Sequence, residues 1–207
     1  MIHGHAIIHA GLLVLILMLV SGCTQTTAGS AGAGNTGSMI TQATMTPVET
    51  QAANTSSWQK VRLETTMGNI TIALDPDMPI TAGNFANLTR IGYYDGVIFH
   101  RVKPGFMIQG GDPSGTSYGN PGYFIPDEFT DHNQNNRGTV AMANAGANTG
   151  GSQFFINVVN NNYLDAKHPV FGTVVDGMDV ADAIANVPRD ENNRPLTNVT
   201  ILHAEII

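Results

Sequence analysis

From Trp58 onward the chain alternates apolar and polar residues with the period of two that marks a half-buried strand. "WQKVRLETTMGNITIAL" does so on both sides of Met67-Gly68-Asn69 and predicts two strands joined by a turn. "GVIFHRV", "GFMIQGG", "GTVAMAN", "SQFFINV", "VFGTVV" and "NVTILHAEII" each predict a further strand. "TAGNFANLTRIG" has helical spacing instead, with Thr81 as N-cap and Gly92 as stop, and "MDVADAIANV" predicts a second amphipathic helix closed by Pro188. Residues 110–138 are rich in Gly, Pro, Asn and Ser and read as loop. No internal repeat interrupts the pattern. Many short strands at regular spacing with two helices point to a mainly β domain, a closed antiparallel barrel plugged or flanked by helices. Roughly 150 residues suffice for one well-buried core.

The texture before Trp58 is different. "AGLLVLILMLVSGC", residues 10–23, is an apolar run ending in small residues, too short to span a bilayer comfortably. Val20-Ser21-Gly22-Cys23 resembles the bacterial lipobox, in which cleavage precedes a cysteine that then carries lipid. On that reading residues 1–22 are a signal peptide and Cys23 is the lipidation site. The preceding "MIHGHAIIHA" lacks the Lys or Arg that such a leader usually carries, which leaves an uncleaved anchor or a plain secretory signal as alternatives. Both main readings put the domain outside the cytoplasm. Residues 23–57 are dominated by Thr, Ala, Gly, Ser and Gln, with too little aliphatic mass to offset ordering entropy, and read as a flexible tether. The globular domain is then 58–207.

Composition narrows the function classes. The net charge of −7 over 207 residues, with no block of like charge, argues against nucleic acid and anionic membrane surfaces as partners. Cys23 is the only cysteine, so no intramolecular disulfide or Cys-based metal site can form. His100, His132, His168 and His203 lie far apart and form no metal-ligand motif, so no metal is expected. "GTSYG", residues 115–119, matches the nucleophile elbow of serine hydrolases, but loop sequence flanks it on both sides. That motif needs a buried strand before it and a helix after it, so Ser117 reads as a surface-loop residue.

Three segments stand out: "FHRVKPGFMIQGGDP", "GTVAMANAGANTGGSQFFIN" and "YLDAKHPVFGTVVDGMDV". With "NPGYFIPDEF" they closely resemble the cyclophilin family of peptidyl-prolyl isomerases, in family order, from about Val61 to the C-terminus. The resemblance implies a closed eight-stranded antiparallel barrel capped by two helices, a cofactor-free isomerase active as a monomer, and proline-containing segments of exported proteins as substrates. It assigns Arg101 as the catalytic arginine and Gln109 as the residue orienting arginine and substrate. Phe106, Met107, Phe155 and Leu164 match the walls of a proline pocket. Asn144, flanked by Ala143 and Ala145, matches the position whose backbone binds the substrate chain. His100, Gln153 and His168 match further substrate-binding positions. Taken singly, the four apolar residues read as core, Arg101 as a surface ion pair, Gln153 as a solvated strand residue and His168 as a turn histidine. A peptide-binding chaperone with little isomerase activity is the alternative use of the same groove.

Rotation about an X-Pro bond breaks no covalent bond, so it needs neither nucleophile nor metal. The barrier is amide resonance, about 18–20 kcal/mol. A donor aimed at the prolyl nitrogen, which regains a lone pair when the bond twists, stabilises the twisted form over both planar forms. Arginine suits this because it stays protonated and carries several donors in a rigid fork. One detail of phase follows. A strict two-residue Pro104-Gly105 loop would set Arg101 opposite Ile108, out of step with Gln109, so a longer turn or a bulge is expected between Lys103 and Phe106. Tyr163 stands where well-known eukaryotic members carry a tryptophan that binds cyclosporin, which implies weakened inhibition. The short 115–120 loop resembles compact prokaryotic members.

Overall fold

The computed structural model describes residues 59–207. The expected signal peptide, Cys23 and the tether lie outside the described residues. Among the described residues no helix is long and apolar enough to cross a membrane.

Eight strands form one antiparallel sheet: β1 (Lys60–Thr65), β2 (Gly68–Leu74), β3 (Arg101–Lys103), β4 (Met107–Gly110), β5 (Thr139–Met142), β6 (Phe154–Asn157), β7 (Val170–Asp176) and β8 (Ile201–Ile206). Their order is β3-β4-β6-β5-β7-β2-β1-β8. Every expected strand is present, but the expected closed barrel is not. No ladder joins β3 to β8; the two edges meet only at an Ile98–Thr200 bridge. Hydrogen bonds there include Phe99 N–H to the Val199 carbonyl (2.9 Å) and Ile201 N–H to the Val97 carbonyl (2.8 Å). Residues 97–99 approach β8 just before β3 begins, and the chain then turns into the β3–β4 hairpin, so the seam is stitched rather than laddered.

Two helices pack their apolar faces into the main core, α1 (Thr81–Arg90) through Phe85 and Leu88 and α2 (Met178–Ala185) through Ala181 and Ile184. Phe85 lies at the centre of the aromatic packing, 5.0 Å from Tyr94, 5.2 Å from Phe154 and 5.1 Å from Phe171 between ring centroids. Gly92 stops α1 as expected, with φ +70°. Thr81 is not the N-cap. Ile80 holds that position without a side-chain cap, and the Glu128 carboxylate accepts the N–H groups of Ile80 (3.1 Å) and Thr81 (2.8 Å). A carboxylate at this end satisfies unpaired donors and opposes the positive pole of the helix. It arrives from 47 residues away, so local sequence carries no trace of it.

Period-two alternation places a second, smaller apolar cluster on the other side of the sheet. Val102, Ile108, Val140, Met142, Phe154 and Ile156 belong to the main core, whereas Met107, Ala141 and Phe155 form a separate cluster with Phe106, Ala143, Leu164 and Val170. Successive residues of a strand face opposite ways, so β4, β5 and β6 each contribute to both.

Candidate active site

The row Arg101–Gln109–Phe155–Ala141 crosses four strands residue by residue. Arg101 pairs with Gln109 between β3 and β4, Gln109 with Phe155 between β4 and β6, and Phe155 with Ala141 between β6 and β5. Directly opposed residues on one face lie about 4.5–5.5 Å apart at Cβ, so the row sets a cation, an amide and an aromatic ring side by side.

The hairpin turn makes this register possible. Lys103 pairs with Met107, leaving Pro104, Gly105 and Phe106 in the loop. Phe106 N–H donates to the Lys103 carbonyl at 3.1 Å, with Gly105 at φ +66°. Pro second and a left-handed Gly third is the combination of a type II turn. The longer turn required by phase is this one, and it brings Arg101 and Gln109 onto one face.

Arg101 Nη1 donates to Gln109 Oε1 at 3.4 Å, Gln109 Nε2 donates to Gln153 Oε1 at 3.0 Å, and Gln153 Nε2 donates to the carbonyls of Ser117 (3.1 Å) and Gly119 (2.9 Å). Arg101 forms no ion pair among the described residues. Its Cζ lies 5.8 Å from the centroid of Phe106, within cation–π range. The guanidinium is therefore directed by an amide and an aromatic face, with donors left over.

Arg101, Phe106, Met107, Gln109, Ala143, Asn144, Phe155, Leu164 and His168 surround a pocket of about 290 Å³. Met107 (2% exposed) and Phe155 (4%) are its deep walls, and the 3₁₀ turn Asn162–Leu164 brings Leu164 to its side. His168 meets Phe155 edge-on at 5.4 Å and donates from Nδ1 to the Met142 carbonyl at 3.1 Å. The Asn144 side chain is tied to the Lys167 carbonyl (2.8 Å), while its backbone N–H and carbonyl have no partner among the described residues. A backbone segment with both groups free can pair with an extended peptide. A second pocket, about 230 Å³, shares Gln109, Ala143 and Asn144 and continues past Ala145 and Gln153 to the Ser117–Asn120 loop.

One expected contact is absent. His100 lines neither pocket. It is 3% exposed with both ring nitrogens unpartnered, and burial holds its pKa below the ordinary value. Alternation explains the displacement: His100 is one residue from Arg101, so it points to the opposite side of the chain. Ser117 sits exposed on a loop at φ +76°, and its carbonyl rather than its hydroxyl engages the site. Among the described residues the fold does assemble one potential metal-binding group, Asp75, Asp77 and His132, whose ligand atoms lie within 4.8 Å of one another. It lines neither pocket, and His132 is engaged as a 2.9 Å pair with Asp75.

Sequence reasoning missed the supports behind the pocket. Asn161 Nδ2 donates to the Phe106 carbonyl (3.0 Å) and to Asn157 Oδ1 (2.8 Å), and Asn157 Nδ2 donates to Asn135 Oδ1 (3.1 Å). Asn135 in turn donates to the His168 carbonyl at 3.2 Å. All three are buried, and together they tie the hairpin tip to the segment carrying Leu164 and His168. Asparagines are common in loops, and only burial singles these out.

Residues 60–206 match the family model described as cyclophilin type peptidyl-prolyl cis-trans isomerase/CLD. The chain is 44% identical over 153 residues to peptidyl-prolyl cis-trans isomerase-like 1 of Neurospora crassa, covering 71% of this chain and 93% of that protein. It is 48% identical over 145 residues to peptidyl-prolyl cis-trans isomerase-like 2 of Gibberella zeae, covering 68% of this chain but only 25% of that protein. The chain thus spans about a quarter of the longer relatives it matches, among them CYP71 of Arabidopsis thaliana. These relatives are eukaryotic, so the prokaryotic affinity read from the short 115–120 loop finds no support in them. A cyclophilin-type isomerase from Cryptosporidium parvum, solved in the presence of the dipeptide Ala-Pro, superposes with a TM-score of 0.69 at 35% identity, covering 72% of this chain and 99% of that one. With the match spanning nearly all of the described residues and the paired strands carrying its motifs, the chain belongs to the cyclophilin family of peptidyl-prolyl cis-trans isomerases.

Proposed function

We propose that this domain accelerates rotation about X-Pro bonds in extracytoplasmic proteins, with Arg101 donating to the prolyl nitrogen as it becomes pyramidal. The observation that carries this is a guanidinium with no carboxylate partner among the described residues, hydrogen-bonded to Gln109 in a pocket whose walls include Phe106, Met107, Phe155 and Leu164. Phe106, Met107, Phe155 and Leu164 clamp the pyrrolidine ring, and the free backbone of Asn144 pairs with the substrate chain and fixes the side that does not turn. The carbonyl before proline then swings while the ring stays seated. An apolar surrounding disfavours the charge-separated planar form, and the arginine donor favours the twisted one, so both act on the same barrier. A 10⁵-fold acceleration would correspond to about 7 kcal/mol. The Ala-Pro dipeptide used with the Cryptosporidium protein is the kind of ligand this pocket suits.

The test is an isomerisation assay on an Ala-Pro peptide with the wild-type chain and Arg101→Ala. Activity is expected to fall at least about tenfold in the variant, or about 1.4 kcal/mol. Equal rates would remove Arg101 from the mechanism. Peptide binding without activity in either protein would favour a chaperone that uses the groove to hold peptides. The extracytoplasmic setting rests on the lipobox-like run Val20–Cys23 and the Thr/Ala/Gly/Ser-rich tether. Mass spectrometry of the mature N-terminus tests the lipid anchor: a lipidated Cys23 is expected, and an unprocessed Met1 would overturn lipoprotein processing.

A further inference from the structure

Asp112 is completely buried (0% exposed), and it lies in neither pocket. Burying an ionised carboxylate is costly unless donors replace its water. One of its oxygens is satisfied from one loop: Asp112 Oδ1 accepts the Ser114 N–H and the Ser114 hydroxyl, both at 2.7 Å, while Oδ2 has no partner among the described residues. Burial alone would raise the Asp112 carboxyl, but its hydrogen bonds from the Ser114 hydroxyl and amide hold it below the usual carboxylate range. Gly119 packs so closely that a Cβ there would fall 1.9 Å from Asp112 Oδ1 and 2.9 Å from Ser114 Oγ. The loop also holds Ser117 in the left-handed region, a conformation unfavourable for a non-glycine residue that persists only where its surroundings impose it.

Ser114 and the close-packed Gly119 tie the 114–119 loop to Asp112, and the same loop presents the carbonyls of Ser117 and Gly119 to Gln153. Those two carbonyls are the acceptors for Gln153 Nε2. An amide whose nitrogen is committed in this way presents its oxygen in a fixed direction, here to Gln109 Nε2, whose own oxygen then faces Arg101. Each glutamine has one correct flip, and the loop carbonyls select it. We propose that Asp112 is a positioning residue for Arg101, acting through the 114–119 loop, Gln153 and Gln109 to fix the direction of the guanidinium. This rests on Arg101 being the donor to the prolyl nitrogen. Arg194 assists from outside, donating Nη1 to the Gly115 carbonyl at 2.5 Å.

A residue that acts only through Gln153 loses its effect once Gln153 is gone, and that separates positioning from general destabilisation. The experiment is a double-mutant cycle in the isomerisation assay: wild type, Asp112→Ala, Gln153→Ala and the pair. Each single variant is expected to lose on the order of fivefold in kcat/KM, with the pair no slower than Gln153→Ala alone. Asp112→Asn keeps the Oδ1 acceptor and is expected to stay within about twofold of wild type. Side-chain NH₂ resonances of Gln109 and Gln153 should shift in Asp112→Ala and remain in place in Asp112→Asn. Should Asp112→Ala not fold, Gly119→Ala serves in the same cycle, because its methyl displaces the loop while the carboxylate remains. Factors that multiply in the pair, or full activity in Asp112→Ala, would overturn the proposal while leaving Arg101 intact. Full activity in Arg101→Ala would instead remove the reading on which it rests.

Discussion

Phe154 and Phe155 are neighbours in β6, both buried, and alternation gives them unrelated jobs. Phe154 packs against Phe85, Tyr94 and Phe99 in the main core, whereas Phe155 backs the pocket beside Arg101 and His168. Removing a buried phenylalanine costs about 3–5 kcal/mol, more where neighbours cannot close the gap. Phe154→Ala should therefore fall near the top of that range in urea denaturation, while its folded fraction keeps near wild-type kcat/KM. Phe155→Ala should cost less stability, about 3 kcal/mol, yet lose at least about tenfold in kcat/KM. Equal effects of the two on activity per folded molecule would mean the pocket face is not distinct from the core. Arg101→Lys tests the fork itself. A lysine keeps the charge but offers one compact donor group, so it should recover little of the activity lost in Arg101→Ala. Tyr163 is 70% exposed and stacks on Phe106 at 6.3 Å, so the residue implied to weaken cyclosporin inhibition sits at the rim and not in the pocket.

Helices and strands were legible in the sequence wherever their cause is local. Alternation reports β1, β2 and the β4, β5 and β6 segments because each faces apolar surroundings on at least one side, and the Pro-Gly pair reports the turn that sets Arg101 against Gln109. Long-range causes left no local trace. The open seam depends on how residues 97–99 meet β8, and the site's buried supports, Asp112, Asn135, Asn157 and Asn161, read as ordinary loop or strand-end polar residues. Motif order puts His100 beside Arg101 but does not say which way its side chain points, and it lines neither pocket. The α1 cap is the clearest case. Thr81 has the right chemistry one residue too late, and Glu128 does the capping from across the fold. Glu128→Ala should cost about 1 kcal/mol in urea denaturation, the usual loss for a removed cap. Thr81→Val, which removes a buried hydroxyl without a hydrogen-bond partner, should cost less or stabilise. The reverse order would make Thr81 the effective cap.

At the scale of the whole molecule, the histidines set how stability responds to pH, and they pull in opposite directions. His132 is raised above the ordinary 6.5 chiefly by its hydrogen bonds to Asp75 and Asp131, and His203 by its hydrogen bond to Asp95. Each binds its proton more tightly in the folded chain, so its contribution is complete below 6.5 and is lost as pH rises through the raised value. His100 is lowered by burial, so between its depressed value and 6.5 the unfolded chain holds a proton that the folded chain rejects. Stability therefore falls as pH drops through that window. Losses on both sides leave a maximum near pH 6.5, with the carboxyls of Asp95, Asp112 and Asp182, held below 3.8, adding a further loss only in stronger acid. Thermal unfolding followed from pH 5 to 9 should accordingly peak near neutrality in the wild type. The double variant His132→Ala, His203→Ala should lose the decline on the alkaline side and keep the one on the acid side. An alkaline limb unchanged in that variant would show that groups other than these two pairs control it, whereas loss of the acid limb alone would assign the signs the wrong way round.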